Sequence, residues 1–178
     1  MPLTLFLLLV FIVVCTILFK RDKVSFMLDD HNKLVFKLQS ASWFQNHLMS
    51  GIFLFIMNAM LFFTTCLVLY FYLLTDLQIP YLHLLVMVLA VFASFFLWII
   101  VSKAWQGTNV NRIKMSIIGS SFYVFLSILF LYWRLTLEAS YPGEDLFMRD
   151  LGLMLGLIVS IVAFLSCLIT TGFGYKRK

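Results

Sequence analysis

The chain has 178 residues, of which 63% are hydrophobic and only 12% charged, with 20 phenylalanines. A soluble globular domain is about a quarter charged and roughly half apolar, so this composition excludes a solvated fold and points to one bilayer-embedded unit over 1–178. The formal charge of +5 is dispersed among the loops and forms no stripe. It therefore argues against a nucleic-acid partner and leaves the lipid bilayer as the first partner.

The chain opens "MPLTLFLLLVFIVVCTILFKRDK". A secretory leader has basic residues before its apolar core and small residues at a cleavage site after it. Here Lys20, Arg21 and Lys23 follow the core and no such site is visible. A retained first span at about 3–19 is expected, near the short limit for crossing a hydrocarbon layer of ~30 Å at 1.5 Å per residue. Longer apolar runs follow at about 48–74, 80–102, 113–135 and 151–172. Lipid offers backbone groups no hydrogen-bond partner, so these runs must be helices. None has the alternating polar positions of a barrel strand.

Residues 20–47 are the largest stretch between spans and are not an independent domain. Val24-Phe26-Leu28 and Leu34-Phe36-Leu38 flank the turn-rich "DDHNK", the pattern of a small β-hairpin. Val24, Met27, Leu28, Val35 and Leu38 fit a helical stripe about as well. Asp29, Asp30 and His31 are adjacent and have no further ligand at useful spacing, so no metal site is read there. Ser42 with Gln45 has capping-box spacing and could start the second helix. Trp43 and Phe44 would then be interfacial anchors.

In span two, Asn58 and Thr65 are polar candidates inside the membrane, seven residues apart on one face. Asp76 closes this span. The short "TDLQI" before Pro80 makes spans two and three an antiparallel hairpin, and His83 lies at the start of span three. Gly107, Asn109 and Asn111 mark a turn into span four. That span offers Ser116, Gly119, Ser120 and Ser127 as small residues for close helix contact. At its far end come Tyr132, Trp133 and Arg134, then Glu138 and the turn "EASYPGED". Asp150 opens span five, where Gly152, Gly156 and Ser160 recur at four-residue spacing as a packing face.

Of 13 basic residues, 11 fall on one side of a five-span arrangement: Lys20, Arg21, Lys23, Lys33, Lys37, Lys103, Arg112, Lys114 and the terminal Lys176, Arg177 and Lys178. The positive-inside rule makes that side cytoplasmic, with the N-terminus out and the C-terminus in. The expected fold is an all-α integral membrane protein of five transmembrane helices. Spans two to five form an up-down four-helix bundle, with span one packed alongside.

The polar inventory is poor in chemistry. Cys15, Cys66 and Cys167 lie singly in apolar runs, with no spacing for a disulfide framework or a zinc site. No catalytic motif, cofactor fingerprint or metal set stands out, so no catalytic residue and no cofactor are assigned. Arg134, beside Tyr132 and Trp133, reads first as an interfacial anchor whose side chain snorkels to water. Alternatively, bundle geometry could bring Arg134, Glu138, Asp76, Asp150 and His83 together as a charged cluster at the outer face, a candidate ligand or ion-pair site. The leading expectation is an accessory or regulatory subunit of a membrane assembly, acting through a membrane-protein partner or as a homo-oligomer, in the plasma (cell) membrane. A small-solute or ion permease using the outer cluster and Asn58 is second. A membrane-embedded enzyme is third.

Overall fold

The computed structural model describes residues 33–75, 81–139 and 145–173. The first span, Asp76 and the Pro142-Gly143 turn lie outside those residues. Five α-helices and one turn of 3-10 helix form the described structure, and no strand occurs among the described residues. The short helix α1 covers Lys33–Gln39 and the 3-10 turn Ser42–Gln45. Four long helices follow: α2 (His47–Leu74), α3 (Leu82–Ala104), α4 (Asn109–Leu135) and α5 (Phe147–Gly172). They have 28, 23, 27 and 26 residues and are apolar enough to cross a membrane. At 1.5 Å per residue each exceeds a hydrocarbon layer of ~30 Å.

The ends of these helices follow from local chemistry. Asn46 caps α2, its side chain accepting from the Leu48 amide at 3.0 Å. Thr108 caps α4 in the same way, accepting from Asn111 N at 3.4 Å. A side-chain oxygen at this position satisfies one of the amides that the first turn leaves without a partner. Ser42 and Gln45 do not make the expected capping box, because α2 starts at His47 and Ser42 opens the 3-10 turn instead. Residues 34–38, the second arm of the expected hairpin, are helical. Val35 is buried and Leu38 half-buried, so a helical stripe rather than a pleated face meets the protein. The first arm, 24–28, lies outside the described residues.

Helix directions can be read from the pairs that meet. Along α4 and α5, Ser116 meets Thr171, Ser127 meets Ser160 and Arg134 meets Asp150, so these helices are antiparallel. Along α2 and α4, Gly51 meets Ile118, and Phe55 and Phe62 both meet Phe122, so these run parallel. Extended contacts join α4 to α5, α4 to α2, α2 to α3 and α3 to α5, whereas α3 and α4, consecutive in the chain, meet only locally, as at Trp98–Tyr123 and Ser102–Arg112. The four helices therefore close a ring in the order α3, α2, α4, α5.

Small residues explain the α2–α4 approach. A Cβ on Gly51 would lie 2.8 Å from Ile118 Cβ, and one on Gly119 would fall inside the Leu54 side chain. The core they close holds Leu54, Phe95, Trp98, Phe122, Tyr123, Leu126 and Cys167. Large apolar side chains such as Ile56, Phe63, Leu67, Phe125 and Ile128 point outward, the surface that lipid accepts and water does not.

Candidate functional site

Asn58 is fully buried, eleven residues into α2, which places it about 17 Å along the helix and near mid-depth of a bilayer. A carboxamide has two donors and an acceptor oxygen with two lone pairs, and all four are used. The Nδ2 group donates to the Gly119 carbonyl at 3.1 Å and to Cys167 Sγ at 3.7 Å. The Oδ1 atom accepts from Trp98 Nε1 at 2.9 Å and from the Tyr123 hydroxyl at 3.4 Å. The indole can only donate and the carbonyl can only accept, so the amide has one sensible orientation. One side chain on α2 thus binds α3, α4 and α5 together. The rings of Trp98 and Tyr123 also meet edge to face, with centroids 6.2 Å apart.

Further hydroxyl contacts run along the α4–α5 seam. Ser116 and Thr171 share a 2.7 Å hydrogen bond, and Ser116 Oγ also donates to the Leu168 carbonyl at 3.1 Å. Ser127 donates to Ser160 Oγ at 2.9 Å. Within hydrocarbon such groups must find partners inside the protein. Thr170 bonds the carbonyl one turn back on its own helix, and the single hydroxyl protons of Thr171 and Ser127 are shared between such carbonyls and the contacts across the seam.

At the C-terminal end of α4, Arg134 pairs with Asp150 in a two-pronged contact, Nε to Oδ1 at 2.7 Å and the terminal nitrogen to Oδ2 at 3.3 Å. The planar guanidinium matches a carboxylate in this geometry. Asp150 sits in the first turn of α5, where the free amides of the helix end favour an anion. The expected five-residue cluster is not assembled in full. Glu138 is exposed beyond the end of α4, His83 is exposed in the first turn of α3, and Asp76 lies outside the described residues. Arg134 takes Asp150 and not Glu138, because α5 brings the acid alongside it while Glu138 follows on after the helix has ended.

The other sequence candidates divide. Ser160 is buried on the α4 face, and a Cβ on Gly156 would lie 3.0 Å from the Phe130 ring, so both serve close packing. Gly152 is exposed and a Cβ there would meet nothing within 4 Å, so it is no part of the seam. Thr65 bonds Leu61 O of its own helix at 2.7 Å and bonds no second helix among the described residues. Phe44, expected as an interfacial anchor, is fully buried against Phe53 and Trp43, whereas Trp43 is about half exposed.

At the opposite end from Arg134, Gln45 joins the segment before α2 to the α3–α4 connection. Its Nε2 donates to the carbonyls of Gln39 and Ala104, both at 3.3 Å, and its Oε1 accepts from Gln106 N at 3.0 Å. Arg112 donates to the Ser102 carbonyl across the same connection. Among the described residues no group of three or more His, Cys, Asp and Glu is placed to hold a metal ion.

Sequence reasoning found Asn58 and missed Trp98 and Tyr123. The available signal was depth: tryptophan in a membrane helix is enriched at the interfaces, and one well inside a span needs a buried acceptor for its N–H. No known protein family, no characterised protein and no solved structure matches the chain.

Proposed function

We propose that the chain is a non-enzymatic membrane subunit that works through helix and loop contacts with a larger assembly in the plasma membrane. The observation that carries this proposal is the employment of the interior polar groups. Asn58 has all four hydrogen-bonding positions filled by neighbouring helices, and Arg134 is engaged by Asp150. A permease needs polar groups that can exchange protein partners for solute along a passage. An enzyme needs a nucleophile, base or metal set converging on one cavity. Among the described residues the interior polar groups serve neither demand, which supports a rigid body that presents its outer surface.

That surface offers material for contact. The outer half of α2 carries exposed Phe63, Leu67, Tyr70, Phe71 and Leu74, and α2 is the least enclosed of the four long helices. The orientation we propose has the Gln45 end in the cytoplasm and the Arg134 end outside, on the strength of the basic residues around the first. Extraction from native membranes in a mild detergent, followed by mass analysis of the intact particle, tests the proposal. A partner at fixed stoichiometry supports it. A particle of this chain alone that passes ions or small solutes in proteoliposomes overturns it in favour of a permease.

A further inference from the structure

A cleft of about 300 Å³ lies beside α2 and α3 at the Gln45 end. Its walls are Leu34 and Leu38 of α1, Trp43 of the 3-10 turn, Phe53 and Met57 of α2, and Leu97 of α3. The lining is apolar except for one charged residue, Lys37. The volume is at the low end for small-molecule sites, which begin at about 300 Å³. The cleft reaches from the bundle end towards mid-depth: Met57 is ten residues into α2, about 15 Å along it, and Leu97 is seven residues from the end of α3, about 10 Å back. It is thus long, greasy and basic at its shallow end.

The short helix α1 forms the rim. Lys33 and Lys37 are one turn apart on its surface, while Leu34 and Phe36 remain 55% and 68% exposed. A short helix of this kind, with two lysines on its surface flanked on either side by exposed apolar side chains, suits the boundary between headgroups and acyl chains. In that setting Leu34 and Phe36 would be covered by lipid and the two ammonium groups would sit at phosphate depth.

We infer that this cleft is a binding site for one anionic glycerophospholipid, with an acyl chain lying along Phe53, Met57 and Leu97 and the phosphate held by Lys37, supported by Lys33. Charge complementarity at the rim selects the headgroup and the apolar walls take the chain. The inference stands whether or not the chain has a protein partner. It also gives α1 a role: the helix and the Gln45 clamp hold Lys37 at the rim of the cleft, with Lys33 one turn away.

The test uses the full chain in detergent, with native mass spectrometry counting retained lipid. The probes are dioleoylphosphatidylglycerol, dioleoylphosphatidylcholine and glycerol phosphate alone. One phosphatidylglycerol per chain should be retained about fivefold over phosphatidylcholine, the selectivity of roughly one lysine near a lipid phosphate. Lys37→Gln should bring the two lipids close to parity. Leu97→Trp should fill the cleft and abolish retention of both while the helical circular dichroism is unchanged. If Leu97→Trp does not fold, quenching by dibrominated phosphatidylglycerol replaces it: wild type should lose fluorescence that Trp43→Phe does not. Equal retention of the two lipids by wild type overturns the inference, as does retention or quenching indifferent to Leu97 and Trp43. Displacement by glycerol phosphate would show a soluble-anion site, and a cross-link from the cleft to another protein segment would show a peptide occupant; either overturns it.

Discussion

Replacing Asn58 by leucine tests the four-helix junction. The two side chains are similar in size, so the cavity term that accompanies truncation is small and the change removes mainly polar contacts. The bonds to Trp98 at 2.9 Å and Gly119 at 3.1 Å are of ordinary strength, and those to Tyr123 and Cys167 are long. Hydrogen bonds between membrane helices contribute about 0.6 kcal/mol on average and up to ~1.7, so the two short bonds account for about 1–3 kcal/mol. The Trp98 N–H is then left buried, with Trp98 only 3% exposed, and an orphaned buried donor costs about 1–3 kcal/mol. These overlap in part, and a loss of about 2–4 kcal/mol is expected. Reversible unfolding in bicelles or by steric trapping measures it. Trp98→Phe removes the donor, so the double variant Asn58→Leu, Trp98→Phe should be less destabilised than the sum by about 1 kcal/mol or more. Strict additivity, or an Asn58→Leu variant as stable as wild type, would refute the junction.

Three further outcomes follow from the geometry. Gly119→Ala should destabilise by about 1–3 kcal/mol because its Cβ collides with Leu54, while Gly152→Ala, facing open space, should be neutral; equal unfolding midpoints in detergent would contradict the packing described. Arg134→Gln and Asp150→Asn should each lower thermal stability, with the double variant losing less than the sum, whereas Glu138→Gln should be additive with Arg134→Gln; coupling to Glu138 in place of Asp150 would overturn the pairing. In a background lacking the native cysteines, a cysteine at 145 should react with an impermeant thiol reagent on intact cells and one at 108 only after permeabilisation; the reverse pattern would invert the proposed orientation.

The long helices were legible because apolar runs leave the backbone no alternative in lipid: the run read at 48–74 is the helix His47–Leu74. Partners were harder. Arg134 had three acids within sequence reach, and the choice depended on how α4 and α5 run past each other, which spacing within one helix does not encode. Gly152, Gly156 and Ser160 share a face by arithmetic, yet only Gly156 and Ser160 pack against α4, while a Cβ on Gly152 would meet nothing although Asp150 beyond it pairs with Arg134. Gln45 was read as a local cap and instead reaches Ala104, 59 residues away. Asn58 was legible as a buried polar residue in need of a partner. Trp98 and Tyr123 were not, since aromatic residues in an apolar run look alike until the helices are assembled.

The central proposal is that the polar groups of the described interior join helices and line no passage, and solvent access to that interior measures it most directly. Ser120 is fully buried, one residue from the Gly119 carbonyl that Asn58 binds, and Ser120→Cys is a small change there. In a cysteine-free background in proteoliposomes, a hydrophilic methanethiosulfonate reagent applied to both faces should leave this thiol unmodified while a cysteine at exposed Gln106 reacts fully. Modification of the Ser120→Cys thiol at a rate near that of the loop cysteine would mean that water reaches the centre of the bundle, and would contradict the account.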